Sequence, residues 1–327
     1  MNQSKIINPS LSKSSNGHGA DIAPIPDVSI IILNWNTRDL LADCLDTIAK
    51  TAGKLKIELI VVDNASTDGS QIMLAQRFPQ VRLIANQANV GFARGNNQGL
   101  AVSTGRYALL LNSDAFSTPG AIEALIDLAD TQPQAGIVGA QLRNADHTFQ
   151  ASHSRFPSLW QEFLILSGLG RFIYGRWYPS HGPEEDKGPQ IVDYVEGACL
   201  LVRPEAFKET GGLDEGYFMY AEEVDWCYTM RQKGWQVWYQ PAAQIIHLGG
   251  ASSQGRRTQR EGDLYRSRVR FFRKHYGNTA AKMLKTQIYA LTAIKIAAHG
   301  FLRWVSRGRY GRPVVSLSHL AMELKEV

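Results

Sequence analysis

The sequence is poor in cysteine: Cys44, Cys199 and Cys227 stand far apart in apolar surroundings. They form neither a zinc-binding spacing nor a disulfide framework, which suits a reducing compartment such as the cytoplasm. Met1 to Pro26 is polar, rich in Ser, Asn and Pro, and lacks the apolar stretch of a signal peptide, so it reads as a disordered leader. The glycines at 91, 95 and 99 are four apart, so that segment is neither Gly-x-Gly-x-x-Gly nor a P-loop, and dinucleotide and kinase-like readings lose support. Acidic residues are scarce in one region. From Arg256 to Arg312 fifteen Lys and Arg face only Glu261 and Asp263, which points to an anionic surface or partner. No nucleic-acid recognition motif accompanies that charge.

What is present is ordinary globular material: 327 residues, 44% hydrophobic and 20% charged, enough for one large or two modest domains. Val28 to Leu33 is a near-continuous β-branched run, the pattern of a strand buried on both faces. Leu40, Leu41, Cys44, Leu45 and Ile48 repeat at helical spacing. Further strands are expected at Glu58–Val62, Val81–Ala85 and Tyr107–Leu111, and the alternation implies right-handed crossovers and an open parallel sheet of the α/β class. In such sheets ligands lie beyond the carboxyl ends of the strands. Asn34, Asp63 and the run Asn112-Ser113-Asp114 all fall there, and three polar strand ends on one rim are hard to explain as turn chemistry.

Asn112 and Asp114, two residues apart on the loop after a strand, can hold one hard divalent cation, although an Asx turn fits the same residues. A helix starting near Ala93 would offer free N–H groups, with Arg94 beside them, to a phosphate; close packing on the sheet explains Gly99 equally well. After a helix opened by Thr118-Pro119, Ala135–Leu142 reads as a strand. Ala151 to Pro189 mixes aromatics, Gly and Pro and ends in Glu184-Glu185-Asp186-Lys187, and is expected as a partly ordered excursion lining an acceptor. Ile191–Val202 resumes strand character around the small pair Gly197-Ala198. Glu222, Glu223 and Asp225 open a helix, where the helix dipole favours carboxylates and where one of them could serve as a general base. Gln236–Gln240 is a last short strand, and Ala243–Leu248 leads to His247. A lone His is more often a core residue, but with metal oxygens already on offer it becomes a third candidate ligand.

Taken together, Ile-Ile-Leu-Asn-Trp-Asn, Val-Val-Asp-Asn-Ala-Ser-Thr-Asp-Gly-Ser, Asn-Val-Gly-Phe-Ala-Arg-Gly-Asn-Asn, Leu-Leu-Leu-Asn-Ser-Asp, Val-Glu-Gly-Ala and Tyr-Ala-Glu-Glu-Val-Asp-Trp resemble the inverting family 2 glycosyltransferases of the GT-A fold, in their rhamnosyltransferase-like branch. The resemblance runs from about Val28 to Gly250. It implies a nucleotide-diphospho-sugar transferase fold, with a mostly parallel central sheet flanked by helices and C-terminal basic amphipathic helices. It further implies that Asp63 contacts the base of the nucleotide sugar with Asn34 nearby, that Arg94 lies toward the pyrophosphate, and that Asn112 and Ser113 belong to the donor site. Asp114 and His247, with Asn112, would hold Mg²⁺ or Mn²⁺. Asn112 stands where the family's Asp-x-Asp motif has its first acid, which removes one formal charge. Glu223 matches the acceptor-deprotonating acid, Asp225 is the second choice for that role, and Glu222, Gly197 and Ala198 line the acceptor side.

The resemblance implies a single in-line displacement moving rhamnose or another hexose or deoxyhexose from a dTDP or UDP donor to a polysaccharide or polyprenyl-linked glycan. Two alternatives remain: a nucleotide-sugar-binding protein that has lost turnover, and an NAD-dependent oxidoreductase. The expected organisation is a leader (1–26), a GT-A domain (27–255) and a basic helical extension (256–327). In that extension Leu264, Val269, Phe271, Phe272 and Tyr276 alternate with basic residues. The run Met283–Val305 is interrupted by Lys295 and does not read as a membrane span. It suits a helix lying on an anionic inner-membrane face, or equally one packed on the core with a solvated basic side.

Overall fold

The computed structural model describes residues 5–7, 24–183, 187–249, 257–305 and 316–325. In chain order the elements are β1 (Lys5–Ile7), β2 (Val28–Asn34), α1 (Arg38–Thr51), β3 (Ile57–Asp63), α2 (Ser70–Arg77), β4 (Arg82–Ala85), α3 (Phe92–Val102), β5 (Tyr107–Asn112), β6 (Ala115–Ser117), α4 (Ala121–Thr131) and β7 (Ala135–Arg143). There follow β8 (His153–Ser154), α5 (Leu159–Ser167), α6 (Leu169–Tyr174), β9 (Gln190–Ile191), β10 (Tyr194–Val195), β11 (Cys199–Val202), α7 (Pro204–Thr210), α8 (Glu222–Gln232), β12 (Gln236–His247), α9 (Arg257–Val305) and α10 (Leu317–Glu323).

The main sheet has the order β1-β4-β3-β2-β5-β11-β7-β12-β6, with β9 also pairing β12. β4, β3, β2 and β5 run parallel, as the strand–helix alternation predicts. The sheet is mostly parallel in this half, as expected, and becomes mixed at β11, which runs antiparallel between β5 and β7. A continuous run of apolar residues marks burial on both faces and carries no information on strand direction. β12 is likewise one long bulged strand rather than a short strand and a connector, with its register shift between Gln240 and Gln244.

Alternate residues of one strand feed two cores. Ile30 and Ile32 of β2 pack with Leu41, Leu45 and Ile48 of α1 and with Leu125 of α4, while Ile31 packs with Ala93 and Leu100 of α3 and Trp226 of α8. The glycines of α3 serve this contact. A Cβ at Gly95 or Gly99 would overlap the side chains of Leu33 and Ile31, so packing, not phosphate binding, accounts for both.

Within the expected leader, Lys5–Ile7 pair antiparallel with β4, which a disordered leader does not account for; residues 1–4 and 8–23 lie outside the described part. The segment 151–183 is more ordered than its composition predicts, since α5 and α6 form within it and Ser158 caps α5 by accepting from the Gln161 N–H. Glu184, Glu185, Asp186, Gly250, Arg256, Arg307, Arg309 and Arg312 lie outside the described residues, as does the expected boundary at 255.

α9 breaks at Gly277, whose φ of 87° only glycine adopts readily. Before the break, Val269, Phe271 and Phe272 share a third core with Leu166 and Val224. Its basic residues are largely answered from within the fold: Arg268 meets Glu162 at 2.7 Å, Arg270 meets Asp214 at 3.0 Å, and Lys274 meets Asp214 at 2.8 Å and Asp225 at 2.7 Å. Packing on the core therefore describes this half of the extension. Beyond the break, Ala281, Leu284 and Ile288 are buried, while Ile294, Phe301, Leu302 and Trp304 are exposed. Among the described residues no helix is long and apolar enough to cross a membrane.

Candidate functional site

Parallel register sets Asn34 beside Asp63 and Leu33 beside Asn112, so three strand ends meet on one rim. Asn34 Nδ2 donates to Asp63 Oδ1 at 2.7 Å and to Ser66 Oγ at 3.0 Å. Thr37 Oγ1 donates to Asn34 Oδ1 at 2.7 Å and lies 2.8 Å from Ser113 Oγ. The chain Asp63–Asn34–Thr37–Ser113 thus ties the Asp63 end of the rim to the Asp114 end. Thr37 occupies the N-cap position of α1 without capping it, because its hydroxyl serves this network instead.

Asp63 has no accessible surface. Its Oδ2 accepts from the Ser66 N–H at 3.0 Å and from Gln71 Nε2 at 2.7 Å. With Asn34, three donors occupy a carboxylate that offers about four lone-pair sites. A base ring reaches Asp63 only if a neighbour gives way, and the half-buried Gln71 is the one on a long side chain. Neither Thr37 nor Gln71 was singled out in the sequence. Their signal was position, three residues past a strand end and in the first turn of the following helix.

At the Asp114 end, antiparallel pairing of Ala115 with His247 brings Asp114 Oδ1 to 3.5 Å from His247 Nε2. His247 Nδ1 lies 2.8 Å from Gln150 Oε1, and Gln150 Nε2 donates to the His247 carbonyl at 3.3 Å. A ring whose Nδ1–H is held by an amide oxygen directs its Nε2 lone pair toward Asp114, the way metal-binding histidines are oriented from behind. One carboxylate oxygen and one imidazole nitrogen suit Mg²⁺ or Mn²⁺. Among the described residues no group of three or more His, Cys, Asp or Glu is arranged to hold a metal, so the remaining positions would fall to Asn112, water or substrate oxygens.

β11 joins this rim along its antiparallel ladder with β5, and one step past the ladder the Asn112 N–H donates to the Ala198 carbonyl at 3.0 Å. A Cβ added at Gly197 would stand in ordinary contact, 3.6 Å, with Cβ and Cγ of Glu223, so the Glu223 side chain lies beside this part of the backbone. Burial pushes the Glu223 carboxyl up to about 7. Burial, and then the Glu223 charge, push Glu196 up to about 8. The same two causes hold Glu222 well above the ordinary range, and its Oε2 is buried without a hydrogen-bond partner. Three carboxyls so placed do not all ionise near neutral pH. Glu196 was visible in the Val-Glu-Gly-Ala motif but carried no expectation.

Asp225 does not join them. Its carboxylate accepts from Tyr217 OH at 3.1 Å, Lys274 Nζ at 2.7 Å and His275 Nε2 at 2.7 Å, which ties α8 to α9. Two residues along a helix is a turn of about 200°, so Glu223 and Asp225 point to opposite sides. The second-choice base is therefore a buried anchor. Arg94 is exposed, with Nε 3.8 Å from Glu215 Oε2, and α3 begins at Phe92, whose N–H is taken by the Phe218 carbonyl at 2.8 Å. The open N–H cradle expected there is thus partly closed.

A mixed, mostly parallel sheet with its polar strand ends on one rim, a carboxylate–imidazole pair across the adjoining antiparallel strands and helices on both faces is a GT-A fold. Two solved structures share it: the mannosyltransferase PcManGT from Pyrobaculum calidifontis in complex with GDP-Man and Mn²⁺ (TM-score 0.54, 17% identity, 93% of this chain and 80% of that one), and GalNAc-T7 with UDP, GalNAc and Mn²⁺ (TM-score 0.53, 14% identity, 68% and 43%). The sequence profile of glycosyl transferase family 2 matches residues 29–211, more than half of the chain, and the chain belongs to that family. It is 34% identical over 211 residues to the N-acetylglucosaminyl-diphospho-decaprenol L-rhamnosyltransferase of Mycobacterium tuberculosis (strain ATCC 25618 / H37Rv), covering 58% of this chain and 66%, just under two thirds, of that relative. With the rhamnosyltransferase WbbL of Escherichia coli (strain K12) it shares 26% identity over 228 residues, 67% of this chain and 83% of that one.

Proposed function

We propose that this chain is an inverting hexosyltransferase that moves rhamnose or a related sugar from a dTDP- or UDP-sugar to a hydroxyl of a growing polysaccharide or polyprenyl-linked glycan. The observation that carries the reading is Glu223: a carboxyl pushed up to about 7, laid against Gly197 on the segment whose next carbonyl, that of Ala198, holds Asn112. A base with a pKa near the working pH and a donor-side rim one hydrogen bond away are what a direct displacement needs.

Glu223 takes the proton from the acceptor hydroxyl, whose oxygen attacks the anomeric carbon from the face opposite the nucleotide. The bond from that carbon to the phosphate oxygen breaks, and the diphosphate leaves. Asp63 with Asn34 binds the base, once Gln71 yields, and Arg94 and Ser113 lie along the path of the diphosphate. Asp114 and His247, with Asn112, would hold Mg²⁺ or Mn²⁺, which when bound neutralises charge on the leaving group. The names of the relatives support the sugar and the lipid-linked acceptor. A place at the inner face of a membrane is supported by the exposed Phe172 (89%) and Trp304 (78%) and by the absence of acidic residues from Lys282 to Arg303.

The test is thermal stabilisation by UDP, dTDP, GDP and NAD, each with and without Mn²⁺, on the wild type and Asp114→Ala, followed by transfer of labelled sugar. A metal-dependent UDP or dTDP shift that Asp114→Ala abolishes, with labelled product, is the expected result. Stabilisation by NAD alone would overturn it. Asn112 favours one competing reading, binding without turnover, in which the shift occurs but no product forms.

A further inference from the structure

Between the first half of α9 and the loop that leads into α8 lies a cavity of ≈ 130 Å³, walled by Asp263, Arg266, Ser267, Arg270 and Arg273 on one side and by Gly216, Phe218 and Met219 on the other. We propose that this cavity binds the diphosphate linker of a lipid-linked acceptor; the proposal rests on the acceptor half of the proposed function. Three guanidinium groups converge there, and guanidinium is the side chain best suited to bidentate phosphate contacts.

The arginines are not equivalent. Arg266 is answered by Asp263 at 3.3 Å and by Glu323. Arg270 directs Nη2 to both oxygens of Asp214, at 3.0 and 3.2 Å, an acid it shares with Lys274, and its Nε is buried without a partner. Arg273 is exposed and, among the described residues, has no acidic group within ion-pair distance. The field beyond it is positive as well: burial and then the Arg273 charge hold the Lys285 ammonium below its ordinary range. Among the described lining residues Arg273 is thus the uncommitted cation, beside two arginines already held by acids, and it is the group an entering oxyanion would engage.

Its location names the source of the anion. Ser267 Oγ donates to the Met219 carbonyl at 3.0 Å, so the cavity shares its wall with the loop that ends at Glu222 and Glu223. Met219 and Glu223 are four residues apart, at most about 14 Å of chain. A diphosphate carrying one or two sugars covers that span and would bring its terminal hydroxyl toward Glu223. The same loop is tied to α3 as well, since the Phe218 carbonyl accepts from the Phe92 N–H at 2.8 Å.

The test is calorimetric titration of the full-length chain with farnesyl diphosphate in EDTA, where a metal-dependent nucleotide site takes none of it. Arg273→Glu is the variant, since it breaks no contact that holds the fold. The expected result is binding by the wild type that weakens at least about tenfold in the variant, the size of one charge-assisted contact, with Mn²⁺-dependent UDP or dTDP stabilisation unchanged. No wild-type binding, or equal binding by the variant, overturns the proposal whatever the nucleotides do. An equal loss of binding to phosphatidylglycerol vesicles assigns the site to a membrane headgroup and overturns it too. Arg273-dependent farnesyl diphosphate binding without any nucleotide stabilisation supports the cavity while removing the transferase reading.

Discussion

The amide N–H of Asn112 and the carbonyl of Ala198 are joined at 3.0 Å, and this bond continues the antiparallel ladder of β5 and β11 one step past its regular end. It makes one rigid rim of two segments that the sequence separates widely. On one side lie Asp63, Asn34 and Asp114; on the other lie Gly197 and, against it, Glu223. The following expectations test that division of labour.

Glu223→Gln removes the base and leaves the donor rim intact. Transfer falls by about 10²–10⁴-fold, the usual contribution of a positioned general base, while metal-dependent nucleotide stabilisation is unchanged. In the wild type the base must be ionised, so kcat/KM rises with pH through about 7. A pH-independent rate across that range would remove Glu223 from the role.

Glu196 carries its proton to about 8 in the folded chain against an ordinary 4.5. Between those values the native state holds more protons than the unfolded one, so this group makes stability fall as pH rises from about 4.5 to 8. Glu196→Gln flattens the fall. The check is Tm against pH for both proteins: the curves should lie closest at low pH and separate, with the variant higher, as pH approaches 8.

Gln150 meets His247 twice, at the ring Nδ1 and at the backbone carbonyl, so its effect reads the orientation of that imidazole. Gln150→Ala frees the imidazole to rotate and to change tautomer, and apparent Mn²⁺ affinity in the presence of UDP or dTDP falls about 10–100-fold. His247→Ala should do at least as much. Unchanged metal dependence in both would remove the carboxylate–imidazole pair from the site.

Asp225→Ala leaves Lys274 and the buried His275 facing an empty position, and destabilises the fold by about 3 kcal/mol, the lower range for breaking a buried charged pair. Protein that remains folded at low temperature retains transfer within a few-fold. A loss of transfer equal to that of Glu223→Gln in still-folded protein would return Asp225 to the catalytic candidates. Denaturant unfolding beside an activity assay separates the two outcomes.

Much of the rim was legible because strand–helix alternation marks the parallel strands, and their buried runs mark where each strand ends. The runs Val28–Leu33 and Tyr107–Leu111 are apolar on both faces, and polar residues immediately after them must lie at the carboxyl edge, where crossover folds place their ligands. The direction of β11 was not legible, because a four-residue buried strand has the same composition whichever way it runs. Gly99 read as part of a phosphate cradle or as packing with equal ease until Ile31 was seen beneath it.

By itself, then, the sequence determined the residue types at the strand ends, the acidic opening of α8 and the family to which they belong, since these follow from local hydrophobic pattern and short motifs. Only the tertiary structure decided which of Glu223 and Asp225 faces the rim, that Gln150 holds His247 from 97 residues away, and that much of the charge on the first half of α9 is answered by Glu162, Asp214 and Asp225. Those are matters of long-range register and helix orientation, set when the sheet and three cores close around one another, and no local stretch of chain encodes them alone.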